Sequence, residues 1–210
     1  MAQRRGRGRP RQTEHDTSQA LSRAALRRFA AQGYEATSLR EIAADANVDA
    51  ALISYRFGGK AGLWKSIVSD AATDLHDALA LALSKAEAET NLERLRYSMK
   101  AFLAYLLARP EMPRLLLRDI TVDTDRSRWL LDELSTPLHR HFFELAQSAA
   151  GSAANPPSHM QFRIANFIYS AASTVARRER LARLVESLAD DTAFEEALVT
   201  TLIDGVLPGD

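Results

Sequence analysis

Apolar residues recur every three or four positions along most of the chain, and nowhere alternate over a strand-length run. Leu21, Ala24, Ala25 and Phe29 mark a first helix. Asp16 with Gln19 resembles a capping box at its start, and Gly33 suits the positive φ at its end. Ser38 with Glu41 opens a short helix carrying Leu39, Ile42, Ala43 and Ala46. Asn47 tolerates the left-handed conformation of a turn. Asp49 then caps another short helix, with Leu52, Ile53 and Phe57, which Gly58-Gly59 stops. Longer helices follow: Lys60 to about Ala86, Thr90 to about Ala108, Met112 to Ile120, and a run from Thr124 or Ser127 towards Ala150. Pro137 lies inside that last run, which is kinked there or restarts with Thr136 as cap. Residues 151–157 (GSAANPP) form a loop, and helices over Ser158 to about Arg178 and about Asp191 to Val206 close an all-α chain.

Two helices of about two turns joined by a tight turn form a helix-turn-helix pattern. Such a unit crosses the DNA backbone with its first helix and reaches base edges with its second. Val48, Ile53 and Phe57 point inward by spacing, leaving Ala50, Ala51, Ser54, Tyr55 and Arg56 outside. The small residues let the helix approach the bases. Tyr55 offers a hydroxyl to phosphate, Arg56 suits phosphate or guanine, and Lys60 is placed for a phosphate. Leu52 is either core or a contact for a thymine methyl. The bland alternative is a helical hairpin that binds nothing.

Charge favours the first reading. The chain is neutral overall, but residues 1–60 hold eleven Arg/Lys against six Asp/Glu, and residues 61–210 hold sixteen against twenty-one. A basic end on an acidic body suggests an anionic partner at that end. Residues 1–15 read as a disordered basic arm, 16–60 as the DNA-binding domain, and 61–210 as a helical regulatory and dimerisation domain. Arg7-Gly8-Arg9-Pro10 resembles an AT-hook core, thin enough for a narrow A·T minor groove; a non-specific phosphate tether fits it as well.

The run TSLREIAADANVDAALISYRFGGKAGLW resembles the DNA-binding region of the tetracycline-repressor (TetR) family, and AALRRFAAQGYEATS upstream resembles that family's first helix. The resemblance spans about residues 16–70. It implies a homodimer, a three-helix DNA-binding domain, a variable helical C-terminal domain, and repression released by a small molecule. It implies a base or phosphate contact for Arg40 and phosphate contacts for Thr37 and Ser38. Asn47 and Asp49 stand where the family usually has Gly and commonly has Ser. The aromatic falls at Tyr55 rather than Ser54, and Arg56 replaces a histidine.

The resemblance also places a dimer interface on the last two long helices. Phe162, Phe167, Ile168, Ala171 and Val175 form one stripe; Phe194, Leu198 and Leu202 form another. Periodicity alone fits an intramolecular core equally. Between them, Met99, Phe102, Leu103, Leu106, Leu116, Trp129 and Phe143 suit an apolar effector pocket, with Arg118, His139 and Tyr169 as polar contacts. The same apolar residues would fill an ordinary core. Leu63 and Trp64 on the helix from Lys60 are expected to pack on the reading head, and Leu75 and Leu79 on the body.

Catalytic motifs are missing, so no enzyme is expected. With no Cys, thiolate zinc is excluded, and His139 and His141 diverge on a helix, so neither metal nor cofactor is expected. No apolar run of membrane-spanning length occurs, and the partners expected are a double-stranded DNA operator, a second copy and an unknown small-molecule effector in the cytoplasm. The competing reading is an architectural protein that coats A·T-rich DNA and senses nothing.

Overall fold

The computed structural model describes residues 11–119, 123–151 and 158–207, with side chains from Thr17 onward in the first span. All regular structure among them is helical. Nothing between Arg11 and Gly33 breaks a helix, and α1 runs over Arg11–Gln32, starting well before the Asp16 signal. The Asp16 cap and most of the expected arm, including Arg7 and Arg9, lie outside the described side chains.

The chain divides into two units, residues 1–67 and 68–210. In the first, α1 is followed by α2 (Leu39–Asp45), α3 (Ala50–Phe57) and the start of α4 (Lys60–Lys85). Leu21, Ala25, Phe29, Ile42, Ile53, Leu63 and Trp64 are buried at its centre. Ser38 accepts from the Glu41 amide at 3.2 Å while the Glu41 carboxylate accepts from the Ser38 amide at 2.9 Å, so both helix-end donors are satisfied. The Ser38 amide and hydroxyl, both donating to it, hold the Glu41 carboxyl below its ordinary range. Asn47 takes φ 54°, and its neighbour Val48 donates to the Ala43 carbonyl at 3.0 Å, closing the turn. Asp49 accepts from the Ala51 amide at 2.7 Å and opens α3; Gly58, at φ 72°, ends it.

The second unit contains the rest of α4, then α5 (Asn91–Ala108), α6 (Glu111–Leu116), α7 (Asp125–Leu130), α8 (Thr136–Gly151), α9 (Met160–Ala176), α10 (Arg178–Leu184) and α11 (Asp191–Leu198). Phe102, Phe142 and Phe167 bring α5, α8 and α9 together with ring centroids 5.8 Å apart in each pair. Tilted and edge-on rings at this spacing add to the area they bury. The helix does not restart at Pro137. A π-helical turn over Leu131–Ser135 joins α7 to α8, absorbing the proline's missing N–H and its ring. Another π turn, Val199–Asp204, follows α11. Among the described residues no helix is long and apolar enough to cross a membrane.

Candidate functional site

Among the described residues Tyr55 is the most exposed large hydrophobic of the first unit, at 87%, while Ile53 two residues earlier is fully buried. One helix face is fixed to the core and the opposite face projects. Ala51, Ser54 and Arg40 are exposed with Tyr55, and Ala50 is half-buried. The outward set on α3 thus matches the spacing argument at Ala51, Ser54 and Tyr55. Arg56 is half-buried, with its guanidinium against the Ser18 hydroxyl of α1. Phe57 is half-buried rather than hidden.

Three residues expected at phosphate are otherwise engaged. Thr37 is buried and its hydroxyl donates to the Gly33 carbonyl at 2.8 Å. The exposed Ser38 hydroxyl serves its own cap. The Lys60 ammonium donates to the carbonyls of Tyr34 at 2.8 Å, Thr37 at 3.0 Å and Glu35 at 3.4 Å. An ammonium has three donors, so this set engages all of them. Lys60 closes the connector between α1 and α2 from below instead of reaching outward.

Linear spacing did not reveal Arg28. From α1 its guanidinium meets Asp45 at 2.6 and 2.8 Å and Glu41 at 3.1 Å, joining α1 to α2. The bond from Arg28 lowers the Asp45 carboxyl from its ordinary range. The partners lie 13 and 17 positions apart, beyond any helical repeat.

In the second unit, Phe102, Leu106, Leu116, His139 and Tyr169 line a cavity of about 70 Å³. Met99 and Leu103 are plain core, Arg118 is exposed, and Trp129 does not line it. Phe143 instead borders an open groove of about 740 Å³ between α8 and α9. Tyr105 also lines the cavity; its hydroxyl donates to the Ala71 carbonyl at 3.0 Å, and burial pushes its pKa up to about 12. His139 and His141 diverge, the first bonded to the Ser135 carbonyl at 2.7 Å, the second to the Ser98 hydroxyl at 2.8 Å.

The expected dimer stripes need correction. Phe167, Ile168, Ala171, Val175, Phe194 and Leu198 are buried within a single chain, and Leu202 is half-buried. An amphipathic stripe satisfies its own core first, which is the alternative that periodicity left open. Phe162 alone stands out, 74% exposed.

A family model described as bacterial regulatory proteins, tetR family, matches residues 21–67. A Bacillus subtilis (strain 168) protein named "Probable HTH-type transcriptional regulator YttP" is 30% identical over 115 residues. That stretch covers 55% of this chain and 56% of the relative, so the chain matches about half of that protein's length. Likeness to solved structures runs further. The fatty acid degradation regulator FadR from Bacillus halodurans superposes with a TM-score of 0.71 at 16% identity, over 99% of this chain and 100% of that one. A TetR-like transcriptional regulator from Rhodococcus sp. RHA1 gives 0.68 at 17% identity, over 96% and 100%. At such identities the likeness establishes the fold.

Proposed function

We propose that this chain, whose residues 21–67 match the tetR-family model, is a TetR-like transcriptional repressor that binds a palindromic DNA operator as a homodimer and lets go when a small molecule binds its second unit. The observation that carries this reading is the split of α3, with Ile53 buried and Tyr55 projecting beside Ala51 and Ser54. A major groove about 12 Å wide accepts one helix. A helix set there needs small residues close to the bases and a polar anchor near the phosphates. Alanines at 50 and 51 meet the first need, and the Tyr55 hydroxyl and Arg40 meet the second.

One such helix reads only a few base pairs, so a second copy is needed for a specific site. The face that supports self-association is the open groove between α8 and α9, with Leu131 exposed on its lining and Phe162 exposed on α9. Exposed aromatic and aliphatic side chains favour a partner surface over water. An effector acts by favouring a dimer whose two α3 helices no longer fit successive grooves.

Selection of bound sequences from random duplex DNA tests the reading. A palindrome with half-sites about 10 base pairs apart, centre to centre, is the outcome expected of such a dimer. Retention of all sequences with equal affinity identifies a coating protein and rejects the proposal.

A further inference from the structure

The cavity and the groove of the second unit share a wall. Ser135, His139 and Tyr169 line both. The two rings lie 5.5 Å apart, and His139 also meets the Phe143 ring at 5.8 Å. Everything else around the cavity is apolar apart from Tyr105, whose hydroxyl is already committed to Ala71. No Lys, Arg, Asp or Glu is among the described residues lining it.

Two consequences follow for an occupant. An ion placed there would lose its hydration with no Lys, Arg, Asp or Glu among the described lining residues to pair with it, so a neutral occupant costs least. The second consequence comes from the tautomer of His139. A carbonyl only accepts, so the Nδ1 atom 2.7 Å from the Ser135 oxygen carries the proton. In the neutral imidazole the other nitrogen, Nε2, is then an acceptor. An occupant that satisfies it must donate.

Size sets a further condition. The cavity of about 70 Å³ is half the roughly 150 Å³ that holds benzene in an engineered protein core. A ring needs more room than this, and Tyr169, on the wall shared with the groove, has open space beside it.

We infer that the effector of this protein is a small neutral hydroxyl compound, an alcohol or phenol, whose O–H donates to His139 Nε2 while its apolar body fills the cavity and displaces Tyr169. This rests on the reading of an effector-released regulator given above. Tyr169 lies between the cavity and the α8–α9 face proposed for the second copy. An occupant that moves it therefore alters that face directly, and this would couple the ligand to dimer geometry.

Phenol, anisole and benzoate share one ring and differ only in the group at issue. Binding of each to the full chain, without DNA, is measured by calorimetry and by thermal shift. The inference expects phenol to bind about tenfold more tightly than anisole, which cannot donate, with benzoate weakest. Tyr169→Ala, which removes the ring that must move, should tighten phenol and anisole alike. His139→Gln should narrow the gap between phenol and anisole. Benzoate binding as well as phenol, anisole equalling phenol, or no binding of any probe would overturn the inference. Since the DNA selection is run without these compounds, its outcome stands or falls separately.

Discussion

Lys60 Nζ donates to the Tyr34 carbonyl at 2.8 Å and sits 4.4 Å from the centre of the Tyr34 ring. One ammonium thus holds a carbonyl and an aromatic face of the same residue, and the Tyr34 ring in turn stacks on Phe29 of α1 at 5.5 Å. The lysine at the head of α4 therefore fixes the connector that delivers Ser38 to the start of α2. This is a structural role at a position where spacing suggested a phosphate contact.

Replacing Lys60 by Met keeps the stem and removes the donors. Stability should fall by about 1–3 kcal/mol, because three carbonyls lose a charged partner. The slope of log affinity against log salt for DNA should not change, since no phosphate contact is lost. Urea unfolding and a salt titration measure the two effects. A slope smaller by about one, with unchanged stability, would restore the phosphate assignment.

Gly62 offers a test with an unusual sign. Alanine normally stabilises a helix position over glycine by about 1 kcal/mol. Here a Cβ would collide with the Phe57 carbonyl oxygen at the end of α3. Gly62→Ala should therefore destabilise the protein, by about 1–3 kcal/mol, as α3 and the start of α4 are forced apart. Thermal unfolding of the variant measures it, and a raised melting temperature would show that the close approach is not needed.

His141 links stability to pH. Its pKa lies below the ordinary value near 6.5, because burial disfavours the charged ring and His76 adds repulsion, against a smaller opposing pull from Glu144. The unfolded chain therefore takes up the proton first as pH falls. Stability should drop as pH passes down through about 6.5 and level off below the folded value. His141→Gln keeps a partner for Ser98 and should flatten that part of the profile. Denaturation midpoints between pH 5 and 8 report both, and identical profiles would remove the role assigned to His141.

Local signals were the legible ones. The Ser38–Glu41 box, the left-handed Asn47, the Asp49 cap and the Gly58 stop each depend on residues within four positions, and each stands where the pattern put it. The all-helical class followed from the same periodicity. Contacts between distant positions were not legible. Lys60 and Thr37 turn inward because carbonyls of the α1–α2 connector lie within reach, which only the fold creates. The stripe of Phe167, Ala171 and Val175 carried no mark separating core from partner surface. Helix α10, RERLARL, escaped notice because it has no buried residue and so no apolar stripe. At Pro137 the run continues through a π turn instead of ending, which the proline alone did not signal.

The most direct test of the account is photocrosslinking from position 55. A benzophenone-bearing residue in place of the projecting Tyr55 samples only what lies within a few ångströms of α3. On a selected operator, the account predicts one crosslinked base or sugar in each half-site, at equivalent places about one helical turn apart. Efficient binding with no crosslink from position 55, and crosslinks instead from a probe in place of the exposed Leu184 of α10, would contradict it.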